Sequence, residues 1–447
     1  MVEAESNEFD YLVIGAGSGG VGSGRFAAGT FGTKVCIIEN RAIGGTCVNV
    51  GCVPKKVMFN LASFLEEAHL FADYGVKGTE GLKLDYAFFK ERRDAYVKRL
   101  NGIYVNMLNN NGVKYVEGLA QFVDAKTVEV EGKHYKGKHI LIASGSYPSA
   151  PTFPGSEHCM DSDDFFTMTE LPEKMVVIGG GYIGVELAQI MQALGVKTTL
   201  VVRSQILRFL DEDVRQVLLE NMEKLGLDVR LNSPHEKVEK LGENEYALHL
   251  ANGDKIECNK VLVALGRPPN VDPLKLENCG VKVDKYGSVI VDEYSNTNVE
   301  GIYAVGDVIT GALGLTPVAI RAGRILAWRL FGGRKDLKMN YTNVATAVFS
   351  HPPIGTVGLN EEEAIKKFGE DKVVTFKGNF VNMLYSPTAD EKKKLKSLFK
   401  LVCVQTGPEV VEEGNAHLKV VGANGIGKTI DEMIQLLSVC LNMGATK

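Results

Sequence analysis

The chain has 447 residues, a formal net charge of −5 at pH 7, 45% hydrophobic residues and 23% charged ones, the make-up of a globular protein with room for two or three domains. It excludes nucleic acid as the main partner, since the one dense cationic run, Lys392-Lys393-Lys394-Leu395-Lys396, follows Asp390-Glu391 and reads as a solvated turn. Eight cysteines, scattered apart from one close pair, are not the framework of a stapled secreted domain; with an acidic N-terminus and no apolar window near membrane length, a cytoplasmic location is expected.

In chain order, Tyr11–Ile14 reads as a strand, Gly15-Ala16-Gly17-Ser18-Gly19-Gly20 as a tight turn, and the small residues to Ala28 as a helix. Val35–Ile38 is a second strand ending in Glu39. A G-x-G-x-x-G turn opening a helix, with an acid about 20 positions on, sets a pyrophosphate on the helix N-terminus and a ribose hydroxyl on the carboxylate. A glycine-rich turn with no ligand is the plainer alternative.

Gly44 to Lys56 holds the pair Cys47 and Cys52 among Gly44, Gly45, Thr46 and Gly51. A disulfide there closes too small a ring to stabilise much. A redox-active pair is the functional reading, with Cys52 near a helix N-terminus and Lys55 close by, both favouring a thiolate. Two unreactive thiols, or half of a zinc site, are the other readings.

Helical periodicity covers Val57–Phe71 and Tyr86–Asn109, strands lead to Ile140–Ser146, and Pro148, Pro151 and Pro154 mark a linker. The nucleotide-binding pattern then returns at Met175–Gly184, with Gly179, Gly181 and Gly184, a helix Val185–Leu194 and a strand Thr198–Val202. Here Arg203 stands where the first unit has its acid, and Arg208 is expected one helical turn later. Arginine pairs with a 2′-phosphate and an acid with a free 2′-hydroxyl, so the first site suits FAD or NAD and the second NADP. Solvated helix-edge cations are the alternative for both arginines. Val261–Arg267, through Gly266, closes this unit; Gly301–Asp307 is a strand ending in an acidic turn, followed by a helix Leu315–Phe331.

The expected fold is α/β, with two Rossmann-like dinucleotide-binding domains and a C-terminal α+β dimerisation domain. Residues 1–147 and 271–340 make the first nucleotide domain, 148–270 the second and 341–447 the interface domain. Gly422–Thr429 matches the phosphate-loop pattern G-x-x-x-x-G-K-T, but too little chain follows to supply a metal-binding acid, so it is read as a strand, turn and helix of the interface domain.

With both fingerprints, Cys47-x-x-x-x-Cys52, Leu315–Ile320, Asp307 and Ser350–Leu359 in hand, the chain resembles the pyridine nucleotide–disulfide oxidoreductases over almost its whole length. The resemblance implies an FAD-containing homodimer that uses NADPH to reduce glutathione disulfide. By it, Asp307 binds the FAD ribityl and phosphate region and Thr316 lies near the flavin. Lys55 pairs with Glu186 beside the flavin ring, and Tyr182 covers the nicotinamide pocket. Cys52 faces the flavin, and Cys47 is the interchange thiol that attacks the substrate.

Ser18, Val21, Gly22 and Arg25 share one face of the first helix and are expected to point at the substrate cleft, where Arg25 complements glutathione carboxylates. Tyr96, Tyr104 and Arg324 match glutathione-contacting positions. Relatives that reduce trypanothione place an acid and a tryptophan at the positions of Gly22 and Arg25. A surface cation and helix-core tyrosines are the plainer reading.

Two departures bear on activity. Asn382–Ala423 differs from the family's pattern, with Glu409–Gly414 like an inserted loop. The family's sequences also end in a His-Pro-Thr segment whose histidine works as acid and base in the partner subunit, whereas this sequence stops at Lys447. Either the sequence is incomplete or disulfide turnover is lowered by about 10²–10⁴-fold. A high-molecular-weight thioredoxin reductase and a catalytically weak flavoprotein of structural or regulatory role are the alternatives.

Overall fold

Residues 7–79, 81–407 and 418–444 are described in a computed structural model; the expected insertion at 409–414 and residues 445–447 lie outside them. The chain forms two units. Met1–Lys55, Phe88–Ser149 and Gly266–Tyr341 make one, and Lys56–Ala87, Ala150–Leu265 and Thr342–Lys447 the other.

In the first unit Glu8–Ile14 is flanked in parallel by Val35–Glu39 and Lys133–Ile142. Lys114–Glu117 extends one side, Ile302–Ala304 pairs with Lys133–Ile142, and the antiparallel strands Thr127–Val130 and Gln121–Phe122 complete the sheet. Strand alternation splits its apolar residues between two cores. Tyr11, Val13, Ile37 and Leu141 pack with Val21 of helix Ser18–Phe31 and Leu326 of helix Thr316–Phe331. Leu12, Ile14, Cys36, Ile38, Ile140 and Ile142 pack on the opposite face with Phe122, Val271 and Leu274.

In the second unit a parallel sheet runs Lys260–Val263, Lys174–Ile178, Lys197–Val201, Asp228–Arg230, with helix Tyr182–Ala193 after its central strand. An antiparallel sheet of three strands follows, His235–Gly242, Glu245–Leu250 and Lys255–Cys258. A five-stranded antiparallel sheet, in the order Thr346–Val348, Ile354–Gly358, Leu418–Ile426, Lys396–Gln405, Val373–Val381, carries helix Ile430–Asn442. The architecture is mixed α/β with parallel nucleotide-binding sheets, as the fingerprints require. Among the described residues no helix is long and apolar enough to cross a membrane.

Local physics moves several expected features. The redox helix is Cys52–Ala68, with Cys52 at its N-terminus as expected and its end at Ala68 ahead of the expected Phe71; Gly51 (φ −150°, ψ −119°) turns the chain into it and Pro54 sits in the first turn, where no N–H is missed. Arg208 does not lie on a helix: residues 203–210 are bends and turns, with Leu207 at φ 42°. The cationic run is partnered instead of simply solvated, since Lys393 meets Asp73 at 2.6 Å, Lys394 meets Glu391 at 2.6 Å and Lys396 meets Glu220 at 2.6 Å. The phosphate-loop pattern is spent on a ladder: Gly422 to Ile426 pair with Ile354–Gly358 and with Lys396–Gln405, and Lys428 forms an ion pair with Glu67.

Lys400 is the most deeply buried cation described in that sheet, with its side chain 1% exposed. Its Nζ meets Asp211 Oδ1 at 2.8 Å, Asp213 Oδ2 at 2.6 Å and Glu361 Oε2 at 2.5 Å. Asp211, also 1% exposed, accepts from the N–H groups of Asp213 and Glu361. Burial opposes the charge of Lys400, but the three carboxylates outweigh it and hold the ammonium above its ordinary pKa.

Candidate functional site

The short helix Gly45–Val50 holds Thr46 and Cys47, entered through Gly44 at φ 93° and Gly45 at φ 60°, a left-handed approach that other residues resist. Cys52 is the first residue of the following 17-residue helix, where N–H dipoles favour an anion. The two thiols are unbridged and hydrogen-bond to each other. Thr316 Oγ1 lies 3.7 Å from Cys52 Sγ and accepts a 3.4 Å hydrogen bond from Ser18 Oγ.

These contacts divide the sulfurs. The hydrogen bond from Cys47 is the largest influence on Cys52; although burial opposes it, Thr316 and the Lys55 charge add to it, and the pKa is brought down to about 6. Donating that bond, together with burial, pushes Cys47 far above the ordinary thiol range. At neutral pH Cys52 is a thiolate and Cys47 its proton-bearing partner. Among the described residues no group of three His, Cys, Asp or Glu is placed to hold a metal.

Around this pair the structure gathers some of the residues singled out from sequence. Tyr104 is half-buried and its hydroxyl is pushed up by burial and by the charge of Cys47, against the opposing charge of Arg25. Arg25 Nη1 lies 3.7 Å from Met107 Sδ. Tyr96 is exposed with Arg99 over its ring, 5.5 Å from the centroid, and Arg324 is exposed on helix Thr316–Phe331. The expectation for Val21 and Gly22 fails: Val21 is buried in the core beneath the helix, and a Cβ on Gly22 would lie 3.2 Å from Ile320 Cα. That face packs on helix Thr316–Phe331, leaving Ser18 and Arg25 as its polar flanks.

The first fingerprint fits a dinucleotide. Gly15 is at φ 106°, and a Cβ on Gly20 would sit 1.8 Å from Gly15 O, so neither tolerates a side chain; at Gly17 the nearest atom is Gly45 Cα, 3.9 Å away, leaving room for a phosphate. Helix Ser18–Phe31 has no side-chain cap, so its leading N–H groups face that room. Glu39 accepts from Ala16 N at 2.7 Å and Arg41 N at 2.9 Å, and its carboxylate lines a cleft with Gly15 and Ser144. Ser144 Oγ is buried in that wall without a partner among the described residues, as a ligand-facing hydroxyl would be. Asp307 accepts from Ser146 Oγ at 3.2 Å, and Arg267 Nη2 donates to Ser146 O at 3.2 Å, fixing the acid at its turn.

The second fingerprint repeats this geometry. Gly179 is at φ 137°, a Cβ on Gly184 would lie 2.3 Å from Gly179 O, and one on Gly181 would meet nothing within 4 Å. Glycine at 184 is therefore demanded by the turn. Helix Tyr182–Ala193 is also uncapped, with Tyr182 45% exposed at its start. Arg203 and Arg208 are both exposed after the strand, and Gly266 is at φ 132°. Glu186 is buried and accepts from Phe349 N at 2.7 Å; Gln189, one turn later, exchanges hydrogen bonds with the backbone of His351. Lys55 belongs to the first unit and Glu186 to the second.

Sequence reading passed over Ser144, Ser146 and Arg267 as site residues. Ser144 and Ser146 end a strand beside the first fingerprint, which was a usable signal; the alliance of Arg267 with Ser146 spans distant sequence and was not.

The chain matches the family described as pyridine nucleotide-disulphide oxidoreductase over residues 9–323, and that family's dimerisation domain over residues 344–447. It is 41% identical over 452 residues to a protein named glutathione reductase from Schizosaccharomyces pombe, covering 99% of this chain and 95% of that one. A protein of the same name from Yarrowia lipolytica is 40% identical over 459 residues, covering 98% of this chain and 94% of the other.

Proposed function

Because the chain belongs to the pyridine nucleotide–disulphide oxidoreductase family, we propose that it is an NADPH-dependent reductase of glutathione disulfide, working as a homodimer with FAD and the Cys47–Cys52 pair. The observation that carries this reading is the Cys47–Cys52 pair at a helix start, with Thr316 Oγ1 3.7 Å from Cys52 Sγ and surroundings that favour the thiolate at Cys52 and the proton on Cys47.

The residues of the first fingerprint, with Glu39, Ser144 and Asp307, would hold FAD, and those of the second, with Arg203 and Arg208, NADPH. Bound FAD supplies a two-electron acceptor that passes reducing equivalents from NADPH to the disulfide. The chain does the rest. Lys55 in the first unit would serve the flavin, and Glu186 and Tyr182 in the second would serve the transfer from the nicotinamide. Reduction opens the Cys47–Cys52 bond and leaves one thiolate and one thiol. Cys52 draws the proton from Cys47 as Cys47 Sγ attacks one sulfur of glutathione disulfide; the S–S bond breaks, one glutathione leaves as a thiolate and takes up a proton, and a mixed disulfide remains on Cys47. Cys52 then gives up the proton it drew from Cys47 and attacks Cys47 Sγ as a thiolate; the Cys47–glutathione S–S bond breaks, the second glutathione leaves as a thiolate that takes up that proton, and the intramolecular disulfide is restored. Ser18, Arg25, Tyr96, Tyr104 and Arg324 would recognise the tripeptides, with the two arginines answering glutathione carboxylates.

The cofactor assignment is tested by following NADPH and NADH oxidation with glutathione disulfide. Each charge-assisted bond to a 2′-phosphate is worth about 1.5–3 kcal/mol, so Arg203→Leu and Arg208→Leu are each expected to lower kcat/KM for NADPH by about 10- to 150-fold and leave NADH nearly unchanged. Wild-type protein that oxidises neither nucleotide on addition of glutathione disulfide would overturn the proposed activity.

A further inference from the structure

The attacking sulfur sits on a poor support. Helix Gly45–Val50 is only six residues long, and its first residue follows Gly44 in a left-handed conformation with no side-chain cap. A helix that short cannot hold its own shape in water. Burial of Val48 and the backbone bond from Gly44 N to Ala16 O help to hold it, and a pair of asparagine amides ties it down further. Asn49, two residues after Cys47, directs Nδ2 to Ile43 O at 3.1 Å and to Gly45 O at 2.9 Å. Asn101, on helix Tyr86–Asn110, directs its own Nδ2 to the same Ile43 O at 2.8 Å and to Asn49 Oδ1 at 3.0 Å. Four hydrogen bonds thus tie the entry and exit of the Cys47 turn to each other and to a 25-residue helix.

That helix carries a second group to the same place. Tyr104, one turn beyond Asn101, is close enough for the charges of Cys47 and Arg25 to act on its hydroxyl. The helix that clasps the turn thus also carries a residue within electrostatic reach of its sulfur.

We propose that Asn49 and Asn101 are positioning residues that aim Cys47 Sγ at the disulfide substrate, acting as one unit through the Asn101–Asn49 hydrogen bond. The proposal rests on the disulfide-reductase reading above. Its chemistry is directional. Asn101 needs only donors, so Asn101→Leu removes its part at similar volume. Asn49 needs both an acceptor for Asn101 and donors for two carbonyls. Asn49→Asp keeps the acceptor and sets a carboxylate oxygen against Ile43 O and Gly45 O, a repulsion that pushes the turn open.

The test uses the full chain loaded with FAD. The two single variants and the double variant are reduced, treated with iodoacetamide, and Cys47 and Cys52 labelling is read by peptide mapping; kcat/KM for glutathione disulfide and the rate of flavin reduction by NADPH are measured in parallel. Misaiming a reacting atom by about 1 Å costs on the order of 10²-fold, so each single variant is expected to lose about tenfold to a hundredfold in kcat/KM for the disulfide, while flavin reduction holds within about twofold. The Cys47-to-Cys52 labelling ratio is expected to change by about fivefold or more, and the double variant to be no worse than the worse single one, because the two amides share one interaction. An unchanged labelling ratio, or losses that add in the double variant, overturns the proposal. If Asn101→Leu does not accumulate as flavin-loaded protein, Asn49→Asp carries the test. Labelling needs no substrate, so an inactive wild type would count against the assigned activity, whereas an unaltered ratio in the variants counts against the clasp.

Discussion

Cys47→Ser is expected to leave the flavin reducible by NADPH while reduction of glutathione disulfide falls by about 10³-fold or more, the scale on which loss of a covalent nucleophile is felt. The hydroxyl cannot form the mixed disulfide, yet it lies far in role from the hydride path, which the two nucleotide sites serve. A second signature follows from the same contact. The Cys47 hydrogen bond is the largest influence lowering Cys52, and a serine hydroxyl is a different donor at a shorter bond length. The Cys52 pKa therefore moves while Thr316 and Lys55 still favour the thiolate. Rapid-mixing absorbance separates the two half-reactions. Retained disulfide turnover in Cys47→Ser would reverse the roles assigned to the sulfurs.

The second large effect concerns stability and lies away from the sulfurs. Lys400→Met removes the cation shared by Asp211, Asp213 and Glu361, and Asp211 is buried as deeply as Lys400 itself. Breaking a buried ion cluster from one side strands a charge, at a cost of about 3–5 kcal/mol. The expected result is a lower thermal midpoint and earlier denaturation, partly recovered by adding Asp211→Asn. The pH dependence has a fixed sign. The raised Lys400 pKa gives stability that is present below the unfolded value of 10.5 and lost as pH rises through the folded one. Lys377 and Lys400 hold Asp213 below its unfolded 3.8 in spite of burial, so its share is lost as pH falls through its own lowered value. Across neutral pH the cluster is intact. An unaltered midpoint in Lys400→Met would contradict this account.

How much of this was written in the sequence depends on how local each constraint is. Gly20 and Gly184 were legible because each closes on the carbonyl of a glycine a few positions back, Gly15 or Gly179, whereas the distant Ala143 O and Ala264 O that crowd those two first glycines left no local mark. Cys47 and Cys52 were legible for the same reason, with Gly51 and Pro54 setting the helix start. Arg208 was expected one helical turn after Arg203, a spacing that cannot reveal the bends and the left-handed Leu207 that set its position here. Val21 and Gly22 were aimed at substrate because a helix face can be read from sequence, whereas the neighbour covering it cannot; here that neighbour is Ile320, almost three hundred residues along the chain. Lys400 and Asn101 escaped notice on the same ground. Their partners are brought in by the tertiary fold, and a lysine in a strand or an asparagine in a helix carries no local mark of it.

The central claim is that electrons from NADPH arrive at a Cys47–Cys52 pair whose Cys52 is a thiolate and leave on glutathione disulfide. The most direct measurement is an anaerobic titration of the flavin-loaded protein with NADPH, followed by visible absorbance at a series of pH values and then by addition of glutathione disulfide or oxidised thioredoxin. The account predicts long-wavelength absorbance from a thiolate against the flavin, stable at neutral pH and lost as pH falls through about 6, where Cys52 takes up its proton. It further predicts that glutathione disulfide restores the oxidised spectrum. Absence of the long-wavelength absorbance, or reoxidation by thioredoxin alone, would contradict it.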